Sequence, residues 1–365
     1  MTRRRLLLAG AAAVVAAAGA AAAALLIPSP SDAFVVRPLV ADAGLHAASH
    51  DRQLVNGWGL AASSTGPWWI ADEARSWSTL YAADGHKQAL TVAVPGGPTG
   101  VVYNGAPGFV VHAGGASAPA RFLYACEDGR IRGWAPTVPH GWSAQAEIAV
   151  DASGTAAVFR GLALAQLPDG SQRLYATDFH NGRVDMFDSR WRPVRIPGAF
   201  VDRSIPQWYA PFGILAAPGR VFVTYASPAP VNGNDAPTGG YVDEFDLQGR
   251  LLARVGRMGA LDEPWGLAVA PRGFGRLGGS LLVANFGSGR INTFEPRAGS
   301  WSYSGQLQGS NGKPLSVPGV WGIAFGTGGM SGRRTTLFFA AGPHRWFGSS
   351  ELAVHGLLGS IESVG

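Results

Sequence analysis

A short step centred on a glycine recurs six times along the chain, and this repeat constrains the fold more than any other feature. The copies read GWGLAAS, PTGVVYN, FRGLALA, PFGILAA, PWGLAVA and VWGIAFG, and they align on Gly59, Gly100, Gly161, Gly213, Gly266 and Gly322. Each copy precedes a short apolar run, such as RLYATDF, and several continue into a third run, such as GRVDMFD. Short strands that recur every ~40 to 60 residues between Gly and Pro turns are typical of β-propellers. Six copies predict an all-β, six-bladed β-propeller.

The repeated glycine has a physical reason within this fold. The innermost strands converge on the propeller axis, and a residue without Cβ lets neighbouring backbones approach closely there. Three of the glycines follow a tryptophan, and we expect Trp58, Trp265 and Trp321 to pack as wedges between sheets. The hydrophobic content of 47% is ample for a large core, and 52 Gly with 25 Pro supply many turns.

The ring needs strands from both ends of the chain. After the sixth copy, TLFFAAG and HGLLGSIES leave the last blade one strand short, while FVVRPLV at Phe34 has no partner of its own. The simplest closure places residues 34–40 beside residues 356–362 as the outer strand of the last blade, which removes an exposed edge. Between Gly100 and Gly161 there are more strand candidates than one blade needs, so the register of the second blade stays open.

The first 33 residues carry the features of an export signal, and residues 34–365 form the predicted propeller domain. Three arginines precede an apolar run from Leu6 to Ile27. This opening resembles a twin-arginine signal, and an ordinary secretory signal fits equally well. The run is also long enough to remain as an N-terminal anchor. We therefore expect a periplasmic, secreted or envelope-tethered protein that meets a membrane only through this segment.

Charge and cysteine content exclude some classes of function. Of the net charge of +5, three positive charges lie at the extreme N-terminus and the other arginines are scattered, which argues against a nucleic-acid partner. Cys126 is the single cysteine, so an intramolecular disulfide and a thiolate metal cluster are both excluded. We expect a monomer.

Longer motifs carry a resemblance to a known family. The segments LVNGWGLA, YACEDGRIRGW, PWGLAVAP, NFGSGRIN and HGLLGSI resemble a family of exported bacterial six-bladed propellers related to NHL-type repeats. The resemblance extends from about Phe34 to the C-terminus and implies the fold and export, but no activity. In topology alone the chain is also similar to six-bladed propellers with metal-centred catalysis, namely gluconolactonase-like hydrolases and an amidating lyase.

Polar residues near the strand ends are the candidates for a site at one mouth of the central channel. These candidates are Asn56, Asn104, Asp178, His180, Asn181, Asn285, His344 and His355. Oxygen ligands suit Ca²⁺ and imidazoles suit Zn²⁺, so His180, His344 and Asp178 are candidate metal ligands. The competing interpretation gives Asp178 and Asn285 a purely structural role, because short polar side chains at strand ends accept backbone hydrogen bonds.

Two classes of function remain open from the sequence. The first is a binding or interaction scaffold at the cell envelope for a protein, peptide, glycan or small molecule. The second is a metal-assisted, lactonase-like hydrolase or lyase at the channel mouth. No Gly-x-Ser-x-Gly elbow, Walker loop or His-Glu-x-x-His motif occurs, which favours the binding scaffold and leaves enzymatic activity undecided.

Overall fold

The computed structural model describes residues 33–42, 45–227, 239–347 and 351–364, with the backbone alone for residues 344–347 and 351–353. These residues form six sheets, antiparallel except where β1 and β2 pair in parallel, two short hairpins and three single-turn 3-10 helices (Glu73–Arg75, Ser153–Thr155 and Gly275–Leu277). The sheets are arranged as the blades of a propeller. The prediction of an all-β, six-bladed β-propeller is confirmed.

The blades follow one another along the chain, and the first strand of each blade lies nearest the axis. Blade 1 consists of β3 (Gly57–Ala61), β4 (Trp68–Asp72), β5 (Trp77–Tyr81) and β6 (Lys87–Ala93). Blade 2 consists of β7 (Pro98–Tyr103), β10 (Phe122–Cys126), β11 (Arg130–Trp134) and β12 (Glu147–Asp151). Blade 3 consists of β13 (Phe159–Gln166), β14 (Gln172–Asp178) and β15 (Arg183–Asp188).

The second half of the chain continues the pattern. Blade 4 consists of β16 (Ala210–Ala217), β17 (Arg220–Ala226), β18 (Tyr241–Asp246) and β19 (Leu251–Arg257). Blade 5 consists of β20 (Pro264–Val269), β21 (Leu281–Asn285), β22 (Ile291–Arg297) and β23 (Ser300–Gln306). Blade 6 consists of β24 (Val320–Phe325), β25 (Leu337–Ala341), β28 (Leu357–Ser363), β1 (Phe34–Ala41) and the two-residue β2 (Ser49–His50).

Strand β1 closes the ring as predicted. It pairs antiparallel with β28, with Phe34 opposite Ser363 and Ala41 opposite Leu357. Beyond the last pair, the N–H of Val364 donates to the carbonyl of Ala33 at 2.8 Å. The two ends of the described domain therefore lie side by side in one blade.

Inserted hairpins explain the surplus of strand candidates. In blade 2, β8 (Val110–Ala113) and β9 (Ala116–Pro119) form a separate hairpin between β7 and β10. In blade 6, β26 (His344–Phe347) and β27 (Glu351–Val354) form another between β25 and β28. The second strand of blade 2 is thus β10, and the open register of this blade is settled.

The repeated glycines lie where neighbouring innermost strands come closest. A Cβ built on Gly213 would lie 1.9 Å from the carbonyl oxygen of Trp265, and one built on Gly266 would lie 2.2 Å from that of Trp321. The same relation closes the circle, because a Cβ on Gly322 would lie 2.5 Å from the carbonyl oxygen of Trp58. The predicted reason for the glycine repeat is confirmed.

Each innermost strand also carries a β-bulge at its glycine. In blade 1, Gly57 pairs with Asp72 and Leu60 with Ile70, so two residues of β3 oppose one residue of β4. The other five innermost strands shift register at the equivalent place. A bulge turns the side chain of its extra residue in a new direction. Here it redirects the residue that precedes the glycine.

Apolar side chains fill the spaces between neighbouring blades, where the core lies. The cluster between blades 1 and 2, for example, combines Trp69 and Leu80 with Phe122 and Tyr124. The cluster between blades 5 and 6 also takes in Phe34 of β1. Among the described residues there is no helix long and apolar enough to cross a bilayer.

Candidate functional site

The central channel has two ends, which we name from the direction of the innermost strands. The upper mouth is the end where these strands begin, and the lower mouth is the end where they finish. The residues before the glycines lie between the two mouths. They are Trp58, Thr99, Arg160, Phe212, Trp265 and Trp321.

Four of these side chains meet across the axis and close the channel. The ring of Trp58 in blade 1 lies 6.2 Å from that of Phe212 in blade 4 and 5.7 Å from that of Trp265 in blade 5. Trp265 in turn lies 6.1 Å from Trp321 in blade 6. We call these four side chains the aromatic plug. Because they contact blades that are not neighbours, the prediction that the tryptophans are wedges between sheets is wrong.

A row of stacked groups extends from the plug across the upper mouth. Phe286 stacks on Trp321 with centroids 3.8 Å apart, and Trp321 stacks on Trp58 at 3.6 Å. On the other side, Cζ of Arg160 lies 5.2 Å from the Trp58 ring and 5.7 Å from the Phe179 ring. A guanidinium over an aromatic face is attracted by the ring quadrupole. The row therefore joins blades 5, 6, 1 and 3.

Asn56 fastens the plug to the seam where the ring closes. Its Oδ1 accepts a hydrogen bond from Trp321 Nε1 at 3.1 Å, and its Nδ2 donates to Glu73 Oε2 at 2.6 Å. Its main-chain N–H donates to the carbonyl of His355 at 3.0 Å. Asn56 has φ +52, a conformation that asparagine adopts more readily than most residues. One buried amide thus connects blade 1 to blade 6.

A repeated backbone hydrogen bond places one further residue from each of five blades around the upper mouth. In each of these blades, the N–H of the residue after the second strand donates to the carbonyl of the residue three positions before the repeated glycine. The donors are Glu73, Glu127, Phe179, Phe286 and Gly342, and their acceptors are Asn56, Gly97, Val158, Glu263 and Gly319. The upper mouth is therefore acidic on the side of blades 1 and 2 and aromatic on the side of blades 3 and 5.

The acidic side contains two carboxylates and one guanidinium. Glu127 Oε1 is paired with Arg160 Nη1, and Glu73 Oε2 accepts from Asn56. The other oxygens, Glu73 Oε1 and Glu127 Oε2, lie 3.4 and 3.3 Å from the place that a Cβ on Gly97 would occupy. The candidate list missed both carboxylates, which directly follow the second strands of blades 1 and 2. Arg160 had a visible signal, since it is the one charged residue that precedes a repeated glycine.

Below the plug lies a chamber of about 490 Å³ that all six innermost strands line. The residues directly after the glycines form its wall: Leu60, Val101, Leu162, Ile214, Leu267 and Ile323. Trp265 of the plug also borders it, and the described residues that line it include no acidic, basic or thiol side chain. Each innermost strand is paired with another strand along one edge only, so its other edge carries backbone N–H and C=O groups outside the strand ladders.

Asp178 and Asn181 share one turn at the end of β14, whereas Asn285 lies at the end of β21 in another blade. Asp178 Oδ1 accepts the N–H of Val158 at 3.2 Å, and its Oδ2 accepts from Asn181 Nδ2 at 2.6 Å. Asn285 Oδ1 accepts the N–H of Asp262 at 3.0 Å. The contacts to Val158 and Asp262 hold local backbone, as the structural interpretation expected, and the hydrogen bonds of Asn285 do not join it to the Asp178–Asn181 pair.

Asp72 occupies the equivalent strand end in blade 1. It is fully buried, and its Oδ2 accepts from both the N–H and the hydroxyl of Thr79. Burial raises the pKa of the Asp72 carboxyl well above its usual value, outweighing the two hydrogen bonds from Thr79. Its role is also within its own blade.

Asn104 does not belong to the upper mouth, which corrects its assignment to one ring with the other candidates. It follows β7 at the lower end of the channel, where Nδ2 donates to the carbonyls of Gly108 and Ala120 and Oδ1 accepts from Gln172. His355 lies near Asn56 through its backbone, but its ring Nδ1 is 3.0 Å from the carboxylate of Asp42. The side chains of Asn104 and His355 therefore contact different parts of the molecule.

The predicted metal ligands are only partly described. His180 is exposed in the turn after Asp178, whereas the side chain of His344 lies outside the described residues. Where side chains are described, no three His, Cys, Asp or Glu residues come together in a way that could hold a metal ion. Zinc or calcium binding by His180, His344 and Asp178 stays a prediction.

Solved structures with the same architecture define the class of protein. Soluble aldose sugar dehydrogenase of Escherichia coli, in its apo form, matches with a TM-score of 0.52 and 12% identity over 91% of this chain and 100% of that chain. A luciferin-regenerating enzyme matches with a TM-score of 0.51 and 14% identity over 91% of this chain and 96% of that chain. At such low identity the likeness shows the fold alone: this is a β-propeller protein.

Sequence relatives give the family. L690 of Acanthamoeba polyphaga mimivirus, an uncharacterized protein, is 30% identical over 304 residues, which are 79% of this chain and 78% of the relative. R648 of the same virus, also uncharacterized, is 32% identical over 298 residues, 78% and 72% of the two chains. The chain belongs to the family of these two proteins. No family model matches the chain. Because these relatives are viral, the predicted kinship with exported bacterial and NHL-type propellers stays a prediction.

Proposed function

We propose that this protein is a binding propeller that holds a small, predominantly apolar molecule in the chamber below the aromatic plug. The chamber itself carries the proposal: six strands contribute to its wall, and its volume of about 490 Å³ lies within the ~300 to 1,000 Å³ of known ligand pockets. The plug closes its upper end, so a ligand enters and leaves by the lower mouth.

The lining determines the class of ligand. Leu60, Leu267 and Ile323 offer aliphatic surface, and burying apolar ligand area against it is favourable at ~25 cal/mol per Å². A charged ligand would lose hydration there without meeting an opposite charge in the lining. The free strand edges can still accept or donate a few hydrogen bonds. A neutral, apolar body with one or two polar groups at its periphery fits these surroundings.

A matched pair of exposed valines provides the test. Val269 lies at the end of β20, lines the chamber and is 41% exposed, so Val269→Glu adds a carboxylate to the wall without overfilling the core. Val201 is 53% exposed, lies away from the chamber, and Val201→Glu is the control. The probe is N-phenyl-1-naphthylamine, a neutral dye whose fluorescence rises when it leaves water.

We expect saturable binding of this dye to the parent and to Val201→Glu, and at least tenfold weaker binding to Val269→Glu. A tenfold loss corresponds to about 1.4 kcal/mol, a modest cost for placing a carboxylate beside an apolar ligand. Absence of saturable binding to the parent, or equal affinity of the two variants, would contradict the proposal.

Export remains part of the proposal, supported by the composition of the first 33 residues. Residues 1–32 lie outside the described part of the chain. Expression of the full chain in a bacterium, followed by fractionation and N-terminal sequencing, should yield a processed protein that begins at Phe34 outside the cytoplasm. Full-length protein confined to the cytoplasm would contradict export.

A further inference from the structure

Blade 3 has fewer strands than any other blade in the described part of the chain. Its sheet ends at β15, whereas the other five sheets have at least four strands. The segment after β15 pairs only with the last part of its outer edge: Asp188 N–H donates to the Arg192 carbonyl, and Val194 N–H donates to the Met186 carbonyl, on either side of a bridge between Phe187 and Pro193. Two prolines interrupt this segment, and proline cannot donate to a strand ladder. On its outer side, the first half of β15 therefore has no strand paired with it in the described part of the chain.

A groove of about 580 Å³ lies at this position on the rim of the propeller. Its first wall is the outer strand of blade 2, where Ala149, Val150 and Ala152 contribute apolar surface. Its floor is β15 from Arg183 to Phe187, and its second wall is the segment from residue 193 to residue 199. The groove thus combines an open strand edge with an apolar face next to it.

The backbone of β15 shows which groups the edge offers. Met186 and Asp188 direct their backbone groups outward, because they bond to the segment that follows β15. Backbone direction alternates along a strand, so Val184 also directs its N–H and C=O outward. The described backbone hydrogen bonds include none to this side of Val184. One donor and one acceptor are therefore available to an added strand.

The charges around the groove are balanced except at one place. Asp185 is paired with Arg183, and Asp151 with Arg130. Arg195 lines the groove and is exposed, and among the described side chains it has no acidic partner. An occupant that carries an acidic residue near Arg195 would complement this charge.

We propose that this rim groove binds an extended peptide segment of a partner protein, which adds to β15 as the fourth strand of blade 3. The other five blades each place a strand of this chain in the corresponding position. Blade 6 shows that such a strand can arrive from a distant part of the sequence, because β1 pairs with β28 there. Strand addition uses main-chain hydrogen bonds for affinity and alternate side chains for specificity. Alternating apolar residues with one acidic residue fit the apolar wall and Arg195.

The experiment uses a fluorescein-labelled Thr-Val-Thr-Val-Glu-Val amide and measures fluorescence anisotropy. We expect saturable binding to the full chain, and at least tenfold weaker binding to Val184→Pro. Proline removes the outward N–H but leaves the hydrogen bonds to β14 intact, so this variant should fold. Val184→Thr keeps the N–H and is the matched control, with affinity expected within twofold of the parent.

A charge exchange keeps the test decisive even if Val184→Pro fails to fold. Arg195→Glu should weaken binding of the Glu peptide about threefold or more and restore affinity for a peptide with Lys in its place. Binding that is absent in the parent, or unaffected by both Val184→Pro and the charge exchange, overturns the proposal. A concentration-dependent dimer that Val184→Pro abolishes would assign the groove to a second copy of this chain and would also overturn it. The outcome is independent of dye binding in the central chamber.

Discussion

Replacement of Gly266 by alanine should strain the propeller at its axis. The new Cβ would lie 2.2 Å from the carbonyl oxygen of Trp321, whereas ordinary van der Waals contacts are 3.4 to 4 Å. The oxygen belongs to the backbone and the position of a Cβ is fixed by its own backbone, so no side-chain rotation can relieve the contact. Blades 5 and 6 must therefore separate by about 1 Å, and overfilling a tightly packed interior costs about 1 to 3 kcal/mol of the free energy of unfolding.

The size of the effect should follow the spacing around the ring. Gly213→Ala should cost more than Gly266→Ala, because its Cβ would lie only 1.9 Å from the carbonyl oxygen of Trp265. Gly161→Ala should cost less, since a Cβ built there would lie 2.9 Å from its nearest backbone atom, the carbonyl oxygen of Phe212. Gly154 is the control: no atom lies within 4 Å of a Cβ built there. Gly154→Ala should be neutral or stabilise by up to about 1 kcal/mol.

Urea unfolding followed by far-UV circular dichroism gives the free energies, and near-UV circular dichroism gives the packing of the plug. Because the strained contact includes Trp321, we expect the near-UV spectrum of Gly266→Ala to change while that of Gly154→Ala does not. Equal unfolding free energies for these two variants, or a ranking that reverses the distances, would refute the inference that the glycines permit close approach of the blades.

Three further predictions follow from the seam, the plug and a buried carboxyl. Deletion of residues 34–41 should lower the free energy of unfolding by about 3 to 6 kcal/mol, because Phe34 and Val40 are almost fully buried. An unchanged urea midpoint would contradict ring closure by β1. Asn56→Ala leaves the indole N–H of Trp321 without its partner and should cost about 1 to 3 kcal/mol in the same assay; a neutral result would contradict its role at the seam. Burial raises the pKa of Asp243 to about 7 despite its ion pair with Arg254, so the folded state keeps a proton that the unfolded state releases near pH 4. This part of the stability is present at low pH and is lost as pH rises from about 4 to 7, and Asp243→Asn should remove that decline from a pH series of unfolding midpoints.

The architecture was accessible from the sequence because the repeat expresses a backbone requirement. Glycine recurs at positions such as Gly213 and Gly266 because a residue with a Cβ does not fit between adjacent innermost strands. The sequence shows this requirement directly, as a glycine at the same place in every copy of the repeat. The closing strand was accessible for a similar reason: an unpaired strand at each end of the chain leaves one economical arrangement.

The interior of the channel was less accessible because a bulge breaks the alternation on which strand patterns rely. Regular alternation of side chains along β3 would place Trp58 between sheets, whereas the extra residue in the bulge turns it toward the axis. Glu127 and Arg160 were missed for a related reason, since their meeting depends on how two blades are set side by side and not on spacing within either blade. Asn104 was misplaced because residue type alone does not say at which end of a strand a side chain lies.

The seam between β1 and β28 also decides how the domain responds to mechanical force. Phe34 and Ser363 are paired at the end of the seam where both strands reach the ends of the described domain. The hydrogen bonds of an antiparallel ladder run perpendicular to the strands. Tension that pulls those two ends apart therefore acts along the bonds and breaks them one after another. A load shared by all the bonds at once would require the strands to be pulled along their length from opposite ends. Stretching the domain by its termini should therefore peel away blade 6 first, at low force, and open the ring before any other blade unfolds.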